Sequence, residues 1–154
     1  MSEVSRIRHQ LRYAMEGPAW HGPALEEILS GLSASQAARV PEGSVHSAWQ
    51  IVLHITAWLD AVRVRLGGES KELTNAEDWP RVTSHAEAAW SSARAELRRA
   101  YDALHSALGT LSDDDLDRVV TGRSYNMYFM LHGVIQHTLY HGGQVMLLKR
   151  LTAH

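Results

Sequence analysis

Residues 126–151 read NMYFMLHGVIQHTLYHGGQVMLLKRL, and their spacing decides the fold. Met127, Met130, Val134, His137, His141, Val145 and Leu148 recur at steps of three and four residues. That is the period of one face of an α-helix, so the spacing predicts a long helix over 126–151. Two positions on this otherwise apolar seam are histidine. Residues four apart on a helix differ by about 40° in direction, so His137 and His141 project side by side.

The same period recurs upstream. Ile51, His54, Ile55, Trp58, Val62 and Leu66 form one stripe, which predicts a helix over 45–66 ended by Gly67-Gly68. Trp90, Ala93, Leu97, Tyr101, Leu104, Leu108 and Leu111 form another over 84–111, with Arg and Glu on its other faces. The segment 3–32 is helical on both sides of a break at Gly17-Pro18, with Ile7, Leu11 and Ala14 on its stripe. The connector 33–44 carries one short turn near 35–38, and 69–83 reads as a loop with Pro80. Ser112-Asp113-Asp114-Asp115 has the form of an N-cap with an acidic first turn. Four long helical stretches joined by loops predict an all-α chain, a four-helix bundle in one domain over 1–154.

Composition narrows the function. Among 154 residues, 45% are hydrophobic and 21% charged, and the net charge is −2 with His neutral. These values fit a globular chain and argue against disorder. With 15 Lys+Arg against 17 Asp+Glu, no nucleic-acid partner is expected, because phosphate binding needs concentrated positive charge. Arg6, Arg8 and Arg12 read as a solvated edge. The longest uncharged stretch is too short to span a bilayer. The first twelve residues show no targeting run. No membrane partner is expected, and the expected compartment is the cytoplasm. The chain has no cysteine, which excludes thiolate ligands and a cysteine nucleophile.

Ten histidines stand out in this composition, because imidazole is the commonest metal ligand. His54, His137 and His141 occupy seam positions. His54 lies near the middle of its helix, and the other two bracket the middle of theirs. If the two helices are neighbours, all three meet at one height. A buried imidazole costs about 1–3 kcal/mol for each polar group left without a partner. One metal ion satisfies a nitrogen of each ring. Three separately satisfied core histidines are the alternative.

Other candidates surround these three. His46, at the head of the second helix, is a cap-region or pocket residue. Trp20 and His21 are candidates for the pocket wall, with a buried anchor as the other role for Trp20. Gln144 either hydrogen-bonds near the site or packs the helix. Trp58 is a candidate beside the site, although Trp49, Trp58 and Trp90 also suit the core. His132 points about 140° away from His137 and is no co-ligand. His9, His85, His105 and His154 read as surface residues.

His137 and the stretch Leu139-Tyr140-His141-Gly142-Gly143-Gln144-Val145 resemble the H-x3-H-x-G-Q signature of the DinB/YfiT-like superfamily. The stretch from Ser47 to Ile55 resembles that family's second-helix motif, whose final His is a ligand. Trp20-His21-Gly22-Pro23-Ala24-Leu25 resembles its N-terminal segment. The similarity spans about residues 10–150. It implies an up-down-down-up four-helix bundle and a divalent metal, zinc or nickel, on His54, His137 and His141. It also implies a homodimer and a small-molecule substrate. Some relatives transfer low-molecular-weight thiols such as bacillithiol or mycothiol, and others isomerise maleylpyruvate with a thiol. This chain has Tyr140 and Gly142 where some relatives have His and Arg, so the substrate side of the site differs.

A three-histidine metal keeps an open coordination position. There it lowers the pKa of a bound thiol or water. Three functions follow: a thiol transferase with an external thiol, a metal-dependent hydrolase, or a stress-related metal- or ligand-binding protein without turnover. No Glu or Asp lies on the seams to serve as general base.

Overall fold

A computed structural model describes residues 1–153, and all regular elements among them are helical. They are α1 (Glu3–Met15), α2 (Leu25–Leu29), α3 (Ala34–Ala38), α4 (Ala48–Leu66), α5 (Asn75–Asp78), α6 (Glu87–Leu108) and α7 (Met127–Leu151), with a 3₁₀ turn at Asp113–Asp117 before α7.

Side-chain caps set several of the boundaries. α4 begins three residues later than its spacing suggests, because Ser47 caps it: the Ser47 hydroxyl accepts from the Gln50 N–H and the Gln50 side-chain Oε1 accepts from the Ser47 N–H. α6 stops at Gly109 rather than running to Leu111. Asn126 caps α7 by accepting from the Phe129 N–H at 3.0 Å. The acidic run after α6 is also a capping device. Asp113 accepts from the Glu3 and Val4 N–H groups, both at 2.9 Å, and so closes the start of α1 from the far side of the sequence. Those two bonds hold the Asp113 carboxyl below its ordinary pKa.

The four long helices surround one core. α4 packs against α6 and α7, and α1 packs against the same two from across the core. Leu59, Leu97, Leu104, Leu108 and Leu131 are buried there, together with Trp90, whose indole N–H donates to the Leu32 carbonyl at 2.7 Å. α2 lies on α7, and α3 lies against α4 and α6. The feature that matters for function is the direct packing of α4 on α7, because it brings their two histidine-bearing seams face to face. Among the described residues no helix is long and apolar enough to cross a membrane.

Candidate metal centre

His54 and His141 are buried and His137 is partly buried, and one ligand atom from each lies within 4.8 Å of the others. The His137 and His54 Nε2 atoms are 2.9 Å apart. The rings of His54 and His141 meet edge to face at 4.6 Å, and those of His137 and His141 at 4.4 Å. Among the described residues this is the one cluster of His, Cys, Asp or Glu with metal-ligand spacing.

The outer nitrogens decide which atoms face inward. His54 Nδ1 lies 2.7 Å from the Asp78 backbone carbonyl and 3.1 Å from its carboxylate. Both oxygens only accept, so Nδ1 carries the proton and Nε2 presents a lone pair. His141 Nδ1 lies 2.6 Å from Gln144 Oε1, which orients the second ring in the same way. Such outer hydrogen bonds fix the tautomer of metal-binding imidazoles. His137 differs: its Nδ1 is buried and has no partner. Burial first, then the neighbouring His141 and His54, push the His137 pKa down to about 3. The His141 pKa is also lowered, chiefly by burial. Both rings are therefore neutral near pH 7, the form that donates a lone pair.

An aromatic cover closes the site from a segment that the periodicity assigns to a plain loop. Trp79 follows α5 and stacks on His54 at 3.9 Å, nearly parallel. His46 stacks on the other face of Trp79 at 3.7 Å. Asp78 accepts from the Trp58 indole N–H at 2.7 Å as well as from His54. Asp78 and Trp79 lie on no long helix, so no three-and-four spacing points to them. The signal that could have found them is Thr74-x-x-Glu77, a capping box in which each side chain bonds the other residue's N–H.

A family model of the DinB superfamily matches residues 19–145. The chain belongs to the DinB superfamily. The chain is also similar in fold to the crystal structure of a conserved protein from Enterococcus faecalis, with a TM-score of 0.72 at 16% identity. That match covers 99% of this chain and 98% of the other. No curated protein matches it.

Within this DinB fold the candidate residues sort by position. His46, Trp58 and Gln144 lie around the three imidazoles, through the Trp79 stack, a 5.8 Å ring contact with His137, and the His141 bond respectively. Trp20 and His21 do not. Trp20 is fully exposed rather than a buried anchor, and His21 is exposed and lines separate clefts near α1 and α2. The reason is the short 16–24 excursion, which turns outward between α1 and α2 instead of continuing the helix inward. His132 meets the Tyr128 ring at 4.3 Å in a tilted contact, away from the cluster. His105 is half-buried against Tyr101 rather than on the surface, and burial lowers its pKa. His154 lies outside the described residues.

Proposed function

We propose that His54, His137 and His141 hold one divalent ion, zinc or nickel, and that the protein is a metal-dependent enzyme moving a low-molecular-weight thiol onto an electrophilic small molecule. The observation that carries this reading is the convergence of the three imidazoles, with two of their outer nitrogens already bonded to Asp78 and Gln144. The donor set fits such an ion. Metal–nitrogen bonds of about 2.0–2.1 Å at tetrahedral angles put nitrogens roughly 3.3 Å apart, and the three ligand atoms lie within 4.8 Å of one another. The outer bonds turn the lone pairs of His54 and His141 inward, while His137, with no outer partner, has only its inward nitrogen to engage.

Bound there, the ion supplies Lewis acidity that favours a thiolate at neutral pH. The chain does the rest. Asp78 and Gln144 hold two rings in the ligating tautomer. Trp79 covers His54 and excludes water from that side. The absence of cysteine means that the thiol is an external cosubstrate. Thiol transfer is favoured over hydrolysis because attack by water calls for a free base. The carboxylate beside the cluster, Asp78, is already committed to His54 and Trp58. A thiol is far more acidic than water and needs less help.

The proposal extends to the chain as a whole: one domain over 1–154, four long helices in up-down-down-up order, and a cytoplasmic homodimer. The dimer is supported by Phe129, Tyr140, Leu147 and Leu151, exposed large apolar residues spaced at 11, 7 and 4 along α7 and therefore on one face.

The test begins with elemental analysis of protein purified without a His-tag or nickel column; about one ion per chain is expected. Consumption of monobromobimane is then followed with bacillithiol, mycothiol or glutathione, and with no thiol. Catalysis above background with one of these thiols supports transfer. Turnover of ester substrates without thiol supports a hydrolase. Bound metal with neither activity supports a stress-related binding protein.

A further inference from the structure

A groove beside the cluster runs between α4 and α7 and encloses about 200 Å³. His137 lies at one end and Arg65 at the other, with Trp58 between them. The Trp58 ring is 5.8 Å from the His137 ring and 5.4 Å from the Arg65 guanidinium carbon. Its indole N–H is held by Asp78, so this wall is fixed. Val62, Met130 and Val134 make the remaining walls largely apolar.

Arg65 is the anomaly in this groove. It is 3% exposed, yet no carboxylate among the described residues lies within ion-pair distance of it. Its Nε and Nη2 donate to the Lys71 carbonyl at 2.9 and 2.6 Å, and its Nη1 reaches the Tyr125 hydroxyl at 3.4 Å. The nearby Glu72 carboxylate is taken by Arg123. A buried guanidinium has five N–H groups, and these bonds leave some of them unused. Buried charges are normally paired, because an uncompensated one is costly.

Gly133 supplies a second, independent observation. It lines the groove, and a Cβ built on it meets nothing within 4 Å. Glycine in a helix interior is less favourable than alanine. Here it leaves open the volume opposite Trp58.

We propose that this groove binds a small apolar carboxylate, with the anion on Arg65, the body on Trp58 over Gly133, and the other end at His137. The inference rests on the metal-site reading only for what happens at the His137 end. A planar carboxylate suits the guanidinium fork and a small apolar space. It also brings a carboxylate within ion-pair reach of Arg65, where the fold places Glu72 farther off and on Arg123.

The experiment titrates phenylacetate and phenethyl alcohol, which share a carbon skeleton but differ in charge, into metal-loaded and chelator-stripped full-length protein, with binding read by tryptophan fluorescence and ligand-observed NMR. Phenylacetate is expected to bind about tenfold or more tightly than the alcohol in both forms. Arg65→Gln should abolish that preference. Gly133→Leu should fill the groove and abolish binding of both compounds while metal content is unchanged. Equal affinities for the two compounds would overturn the proposal. So would a preference that vanishes on stripping, since the carboxylate would then sit on the ion, or undiminished binding to Gly133→Leu. If Arg65→Gln fails to fold by circular dichroism, the stripped wild type and Gly133→Leu still decide. A protein that holds no ion yet keeps the carboxylate preference supports the groove and counts against the metal site alone.

Discussion

His137 is the least compensated member of the histidine cluster. Its Nδ1 is buried without a partner, whereas Asp78 and Gln144 back the other two rings. Binding by His137 therefore depends on Nε2 alone, and replacing the ring removes that ligand together with its 2.9 Å contact to His54 Nε2 and no other hydrogen bond. His137→Ala is expected to drop bound metal well below one ion per chain while far-UV circular dichroism stays helical. Full occupancy in that variant would refute the ligand assignment. Asp78 acts one step removed. Asp78→Ala leaves the backbone carbonyl on His54 but deletes the carboxylate that also anchors Trp58. Metal affinity should fall by about 10–100-fold without being abolished, as is usual for groups that orient a ligand; competition with a fluorescent chelator measures it.

α7 illustrates how much a single element reveals through its own pattern. Its seam reads correctly from the sequence, because burial repeats every three or four residues whatever packs against it. Its glycines are less transparent. Gly133 sits in the helix interior with nothing near its missing Cβ. Gly133→Ala should therefore raise stability by about 1 kcal/mol, seen as a higher denaturant midpoint at unchanged slope. A loss of stability would mean that the glycine is needed for packing rather than for open volume. α5 is the opposite case. Four residues cannot display a helical period, so Asn75–Asp78 passes for loop although its cap is written in Thr74 and Glu77. The cost of missing it is large, since α5 and the residue after it deliver Asp78 and Trp79 to the histidines.

At the scale of the whole molecule, acid links the site to stability. The folded-state pKa of His137 is lowered from 6.5 to about 3. Between those values the unfolded chain holds a proton that the folded chain does not, so stability increases with pH in that window. The contribution is complete above about 6.5 and is lost as pH falls toward about 3; the lowered pKa values of His141 and His46 act in the same direction. Metal-free protein should melt at a lower temperature near about pH 5 than near about pH 7.5. A melting temperature that is flat across that range would contradict the burial of neutral imidazoles. The exposed face of α7 carries the remaining expectation: light scattering at micromolar concentration should return twice the mass of one chain, and Tyr140→Lys together with Leu147→Lys should return a single one.

Local pattern alone was enough to establish four long helices, their inward faces, and three histidines standing where apolar residues belong. That information survives in a linear string because a helix repeats its exposure every 3.6 residues. The meeting of His54 with His137 across 83 positions, and its bond to Asp78 across 24, became visible only when α4 was packed on α7 and α5 folded over them. The burial of Arg65 away from any ion-pair partner among the described residues and the outward turn of Trp20 belong to the same class. Each depends on which surfaces come together in space, and nothing within one turn of helix encodes a neighbour that arrives from elsewhere in the chain.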